Sequence, residues 1–338
     1  MGQLFAVRWA HDLHFQPYPG TIFTPEAVLA PERRSWLSRL DPESGAVRWS
    51  AKIAGPRGWL ALGGERLFHL GNDLRCFDLA TGELVWRRAV NGERSWYAGH
   101  LAVAAGCVLA GGWRGYTQPM GFDARTGEPL WVHPGLCAWS PPVAGPWGFA
   151  MIDLGSPSAL RHAADQSLLG GLALFDPLSG AVTSLPLPGP VWCHDDDAAV
   201  FALGGRLAAQ TLDGETFALA AGGWEPAPRT PGWRFAEGAE HRYGLRQGMV
   251  IAYDRTSGEL RWSAPVADNR GLGAIAELPD GRVVVGTSFG QLIVFAPDGR
   301  RLGAQRVGKR IDTKLFRTAG GLVLAGVGGA IRAFEPLS

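Results

Sequence analysis

An all-β fold of eight four-stranded units is what this sequence predicts, and three observations carry it. The phrase Asp-x-x-(Thr/Ser)-Gly-x-x-x-Trp occurs four times across 338 residues. Degenerate versions of it fill the intervals between the clear copies. No long amphipathic helix can be read, while 48 glycines and 24 prolines supply the turns that many short strands need. Repetition at intervals of tens of residues means a stacked or radial architecture.

The clear copies are DPESGAVRW (Asp41, Gly45, Trp49), DLATGELVW (Asp78, Gly82, Trp86), DARTGEPLW (Asp123, Gly127, Trp131) and DRTSGELRW (Asp254, Gly258, Trp262). Each encodes a hairpin. An apolar-alternating run such as Leu74-Arg75-Cys76-Phe77 leads in as a half-buried strand. Asp and Thr/Ser side chains bond nearby backbone groups, Gly supplies positive φ, and a second strand ends on Trp. Two further strands fit before each hairpin, as in Trp59–Gly63 and Arg66–Leu70 joined through Gly63-Gly64.

Weaker copies complete the count. Phe175 to Gly180 keeps the turn but has Ser184 where Trp is expected, and Phe217 to Gly223 keeps only the shape. Phe295 to Gly299 and Ala333 to Pro336 keep the strand and part of the turn. Turn positions then recur every 34 to 53 residues, which predicts an eight-bladed β-propeller spanning 1–338 as one domain. Seven blades is the alternative, because the unit around 217–226 is so degenerate. The last unit stops without its final strand, and Gln3 to Trp9 reads as that strand, down to a terminal Trp. Such closure removes an exposed sheet edge.

Composition narrows the function classes. A net charge of +1 gives no global attraction to nucleic acid or membrane. No apolar run is long enough to span a bilayer, and the N-terminus lacks the pattern of an export signal, so a cytoplasmic location is expected. Cys76, Cys107, Cys137 and Cys193 are widely spaced and read as buried thiols.

The 14 tryptophans fall into groups. Trp9, Trp49, Trp86, Trp131 and Trp262 end the repeat motif and read as structural. Trp59, Trp96, Trp139, Trp192 and Trp233 stand at the start of the next unit, several beside polar residues: Arg57, Arg94, His194 and Arg234. Later units hold Arg270 and Arg310 in the equivalent links. In strands that alternate in direction, the link between units and the link between second and third strands share one face. That second kind of link carries the length variation: residues 30–36, the Trp113, Arg114 and Tyr116 segment, and Asp153 to Gly170, which has room for a helical turn. Insertions, Arg and aromatics therefore collect on one rim, where binding resides in rigid scaffolds. The competing structural reading is that these Trp pad the units and the Arg are solvated charge.

The one dense polar cluster, His194-Asp195-Asp196-Asp197, reads as a solvated turn, because neighbours on a strand point to opposite faces. No metal, cofactor or catalytic constellation is expected: nucleophile-elbow, phosphate-loop and dinucleotide fingerprints are missing.

The repeat resembles that of pyrroloquinoline-quinone-type propellers, the quinoprotein-alcohol-dehydrogenase-like superfamily. That group includes quinoprotein dehydrogenases and a non-catalytic subunit of the bacterial outer-membrane assembly machinery. The resemblance implies that the motif Trp packs between neighbouring blades. It implies no catalysis here, since the dehydrogenases carry an adjacent Cys pair and this chain has none. The expected function is a non-catalytic, protein-binding scaffold or specificity subunit of a bacterial multiprotein assembly. The alternative is a small-ligand sensor or quinoprotein-like enzyme using the central channel.

Overall fold

The computed structural model describes residues 3–14, 20–33, 35–53, 58–90, 100–112, 118–134, 136, 140–153, 167–168, 171–194, 197–232, 235–246, 248–266 and 274–337. Those residues form eight four-stranded antiparallel sheets, the blades of a β-propeller, together with one small three-stranded sheet. Each blade is a meander in which consecutive strands pair. Blade 2 shows the pattern: Trp59–Gly63, Arg66–Leu70, Leu74–Asp78 and Leu84–Arg88. The degenerate unit is a full blade, blade 5, with strands Val200–Leu203, Arg206–Gln210, Thr216–Ala220 and Gly223–Pro226. Eight blades, not seven, is therefore the count.

Blade 8 is built from both ends of the chain. Phe316–Arg317, Val323–Val327 and Ala330–Pro336 supply three strands, and Phe5–Asp12 supplies the fourth. The pairing runs from Phe5 opposite Pro336 to Asp12 opposite Ala330. Gln305 of blade 7 fastens this strand further, its Oε1 accepting from the Leu4 and Phe5 amides at 2.8 Å each.

The structure divides into two compact units, residues 1–52 with 228–338, and residues 53–227. In each, the core lies between neighbouring blades. Blade 7 illustrates why: Val284, Leu292 and Val294 pack toward blade 8, while Val283, Val285, Ile293 and Phe295 pack toward blade 6. Successive strand residues point to opposite faces, so burying both faces demands an unbroken apolar run. In the second unit, Phe68, Leu70 and Cys76 of blade 2 meet Leu101, Val108 and Phe122 of blade 3.

The repeat motif makes one turn five times. The Oδ1 of Asp41 accepts from the amides of Glu43 and Ser44 and from the Ser44 hydroxyl, and the Gly45 amide returns to the Asp41 carbonyl. Asp78, Asp123 and Asp176 repeat the arrangement, and Asp254 repeats its backbone bonds. These contacts hold the Asp41 carboxyl down at about 2 and lower those of Asp78, Asp123 and Asp176, with Arg48 the largest influence at Asp41.

The motif Trp then locks onto the next blade. Trp131 of blade 3 donates from Nε1 to the Pro177 carbonyl of blade 4 at 2.8 Å and stacks on Phe175. Trp86 donates to the Ala124 carbonyl of blade 3, and Trp262 stacks on Phe295 of blade 7. A bulge beside the indole recurs in blades 1, 2, 3 and 6, kinking the fourth strand where Trp is displayed. Between blades 4 and 5 the Trp and its receptor turn are both lost. Blade 4 has Ser184, and blade 5 replaces the Asp turn by a tight hairpin between Ala220 and Gly223. There the bond runs the other way: Trp224 of blade 5 donates to the Pro186 carbonyl of blade 4 at 2.7 Å.

Candidate interaction rim

Strand alternation puts the links between blades, and those between second and third strands, at the same end of each blade. Backbone hydrogen bonds tie the two kinds of link together. In the first unit Leu13 donates to Gly329, Val266 to Gly248 and Val307 to Gly290, at 2.7 to 2.9 Å. In the second unit Leu212 donates to Pro190 and His133 to Pro119, at 3.0 Å each. The Asp turns lie at the opposite end. One end is therefore stereotyped and the other variable.

The largest variation is in blade 4. Its long second-to-third link contributes Ser167–Leu168, which pairs with Val191–His194 from the link to blade 5, and that strand pairs in turn with Asp197–Ala198. One expectation changes here. Residues 167–168 are strand, and 154–166, where the helical turn was expected, lie outside the described residues. Trp192 does not stand at the start of blade 5 but within this extra sheet, opposite Ser167. The link is long enough to fold back and pair before Val200 begins the blade. His194 and Asp197 are cross-strand partners in that sheet, and Asp195 and Asp196 between them lie outside the described residues.

Trp59 opens the first strand of blade 2, half-buried, with its ring 4.9 Å from that of His100 of blade 3 in an edge-on contact. Its aliphatic surroundings belong to the core between these blades. His100 and His69 are buried with both ring nitrogens unpartnered, and burial pulls both down to about 4. His69 Nε2 lies beneath Gly58, where a Cβ would come within 2.5 Å of it. Arg310 is exposed and its Nε is 2.7 Å from Asp312 Oδ1. Burial raises the Asp312 carboxyl against the opposing pull of Arg310, and its Oδ2 has no partner. Arg57, Arg94, Trp96, Trp113, Arg114, Tyr116, Trp139, Trp233, Arg234 and Arg270 lie outside the described residues. The side chains of Trp192 and His194 do as well.

Two exposed aromatics extend the candidate set, one at the end of the 30–36 link that the sequence places on the rim and one that the sequence reading does not single out. Trp36 begins the third strand of blade 1, 40% exposed, with Lys52 Nζ 5.2 Å from its ring centre. It follows Ser35, held at φ 64 without being glycine, a conformation that clusters at functional loops. Phe289 lies in the turn Thr287-Ser288-Phe289-Gly290 of blade 7 and is 59% exposed. The signal available was an aromatic in a turn position, just before a Gly, between two apolar strands.

Stereotyped turns at one end and variable links at the other define a propeller of the PQQ-like repeat class. The family model described as outer membrane protein assembly factor BamB matches residues 33–182 and 246–338, and the chain belongs to that family. The unmatched stretch holds Ser184 and blade 5, where motif Trp and Asp turn are both missing. Among solved structures, BamB from Moraxella catarrhalis is 14% identical, with 98% of each chain covered and a TM-score of 0.63. The computationally designed Ika8 protein is 15% identical over 99% of this chain and 100% of its own, at 0.62. Quinohemoprotein alcohol dehydrogenase from Comamonas testosteroni is 12% identical over 98% of this chain and 76% of its own, also at 0.62. No curated protein matches the sequence. At such identities these structures share the fold, which does not convey activity.

Quinone-dependent members of the wider fold need a calcium ion and an adjacent Cys pair. Here Cys76 and Cys107 sit apart in blades 2 and 3. Among the described residues no group of three or more His, Cys, Asp or Glu side chains could hold a metal ion. The described residues do not fit a quinone–calcium site.

Proposed function

We propose that this chain is a protein-binding propeller, a scaffold or specificity subunit of a bacterial multiprotein assembly, with no chemistry of its own. The asymmetry between blade ends is the observation that supports this most. Five Asp turns keep one conformation, while the links opposite carry insertions, an added sheet and exposed aromatics. Rigid blades with variable loops at one end are how scaffolds display binding residues. Membership of a family described as an outer membrane assembly factor agrees with a role among protein partners. A cytoplasmic setting is part of the proposal, supported by thiols kept free at Cys76 and Cys107.

The test is co-purification from the native host. Charge reversal at Arg94, Arg234 and Arg310 together should remove the partners that the unaltered protein retains. Undiminished recovery would rule out the rim as the binding surface.

A further inference from the structure

Resting on the rim reading, we propose that the junction of blades 7 and 8 binds an extended acidic segment of a protein partner, with an apolar side chain seated on Phe289. The turn bearing Phe289 is fixed against the link that follows blade 7. Gly290 accepts from the Val307 amide at 2.9 Å and from the Gly308 amide at 3.3 Å. A Cβ on Gly290 would come within 2.3 Å of the Gly308 carbonyl, so the two segments are in direct contact. Phe289, Lys309 and Arg310 are all exposed, on two segments whose backbones touch at Gly290 and Gly308.

Charge selects the occupant. Arg306, Lys309 and Arg310 are exposed on this stretch, and the one carboxylate among residues 306–312, Asp312, is buried and turned to Arg310. A local cationic excess around an exposed aromatic matches alternating carboxylates and apolar groups. A nucleic acid fits less well, because it rewards many phosphate contacts in a row and the whole chain carries a net charge of only +1.

The probe is a fluorescein-labelled peptide of alternating Glu with Leu and Phe, followed by anisotropy at moderate salt. The intact protein should bind it. Phe289→Ala and Lys309→Glu should each weaken binding roughly tenfold, as loss of a central contact does. Arg125→Glu, in an Asp turn, should change nothing. Both rim positions are exposed, and matching melting temperatures will show that the variants fold. Failure of the intact protein to bind, equal binding by both variants, or tighter binding of single-stranded DNA would overturn the inference. If Arg94→Glu and Arg234→Glu still abolish host-protein capture in that event, only this inference falls. If capture also survives those changes, the rim reading falls with it.

Discussion

The indole of Trp131 lies against Gly180 of the following blade so closely that a Cβ there would sit 2.4 Å from the ring. Gly180 also has φ +69, a region that side chains resist. The same pairing joins Trp9 to Gly45, Trp86 to Gly127 and Trp262 to Gly299. The Gly of the motif therefore has two duties, turning the chain and admitting the neighbour's ring.

Trp131→Ala should destabilise the protein by about 3–5 kcal/mol, the usual result of emptying a large aromatic site. Gly180→Ala should cost about 1–3 kcal/mol through strain and overlap. The pair should be non-additive, because removing the ring relieves the overlap. Denaturant unfolding of both single variants and the double variant measures the coupling, and simple additivity would contradict the shared site.

Acid should weaken the fold in two stages. His69 and His100 take a proton near the ordinary value when unfolded but only at about 4 when folded. Between these values the unfolded chain binds more protons, so stability falls as pH drops from about 6.5 to 4, by up to about 3 kcal/mol per histidine. Below that, Asp41 resists protonation down to about 2, and its turn's contribution is lost as pH falls through that range. His100→Phe should flatten the upper stage in urea titrations at stepped pH. An unchanged slope would mean that His100 is not the group responsible.

Cys76 and Cys107 should ignore a thiol reagent at pH 8 while the protein is folded. Burial is the leading cause that pushes their thiols up to about 11 and about 12. Mass spectrometry after brief exposure should find both unmodified, and both modified once urea is added. Labelling of either in the folded protein would mean that its blade opens readily.

Removing residues 1–12 should lower the melting temperature by on the order of 10 °C, since a whole strand and its packing of Phe5 are lost. Scanning calorimetry reads this directly. No change would imply that blade 8 stands on three strands.

Addition of pyrroloquinoline quinone and Ca²⁺ should give neither a shifted quinone spectrum nor dye-linked alcohol oxidation. Turnover would replace the scaffold reading with an enzymatic one.

Much of the fold was legible because the repeat encodes both a turn and its docking partner. Leu74 to Asp78 read as a strand because apolar and polar residues alternate there. The first two strands of blade 2 fell at Trp59–Gly63 and Arg66–Leu70 as expected. Blade 5 was harder, since its hairpin at Ala220 and Gly223 needs neither Asp nor a Trp from blade 4. The rim was legible only as a set of link positions. Pairing of Ser167 with Trp192 joins segments from two links, which no local pattern announces. Phe289 was overlooked because a single aromatic in a four-residue turn has no period to betray it.

Phe5–Asp12 and Ala330–Pro336 lie more than 300 positions apart along the chain, yet they are hydrogen-bonded neighbours. During synthesis the earlier segment must therefore wait, its amides and carbonyls without their final strand partner, until residues 330–336 have left the ribosome. Translation that stops short of that strand yields a product with an open seam.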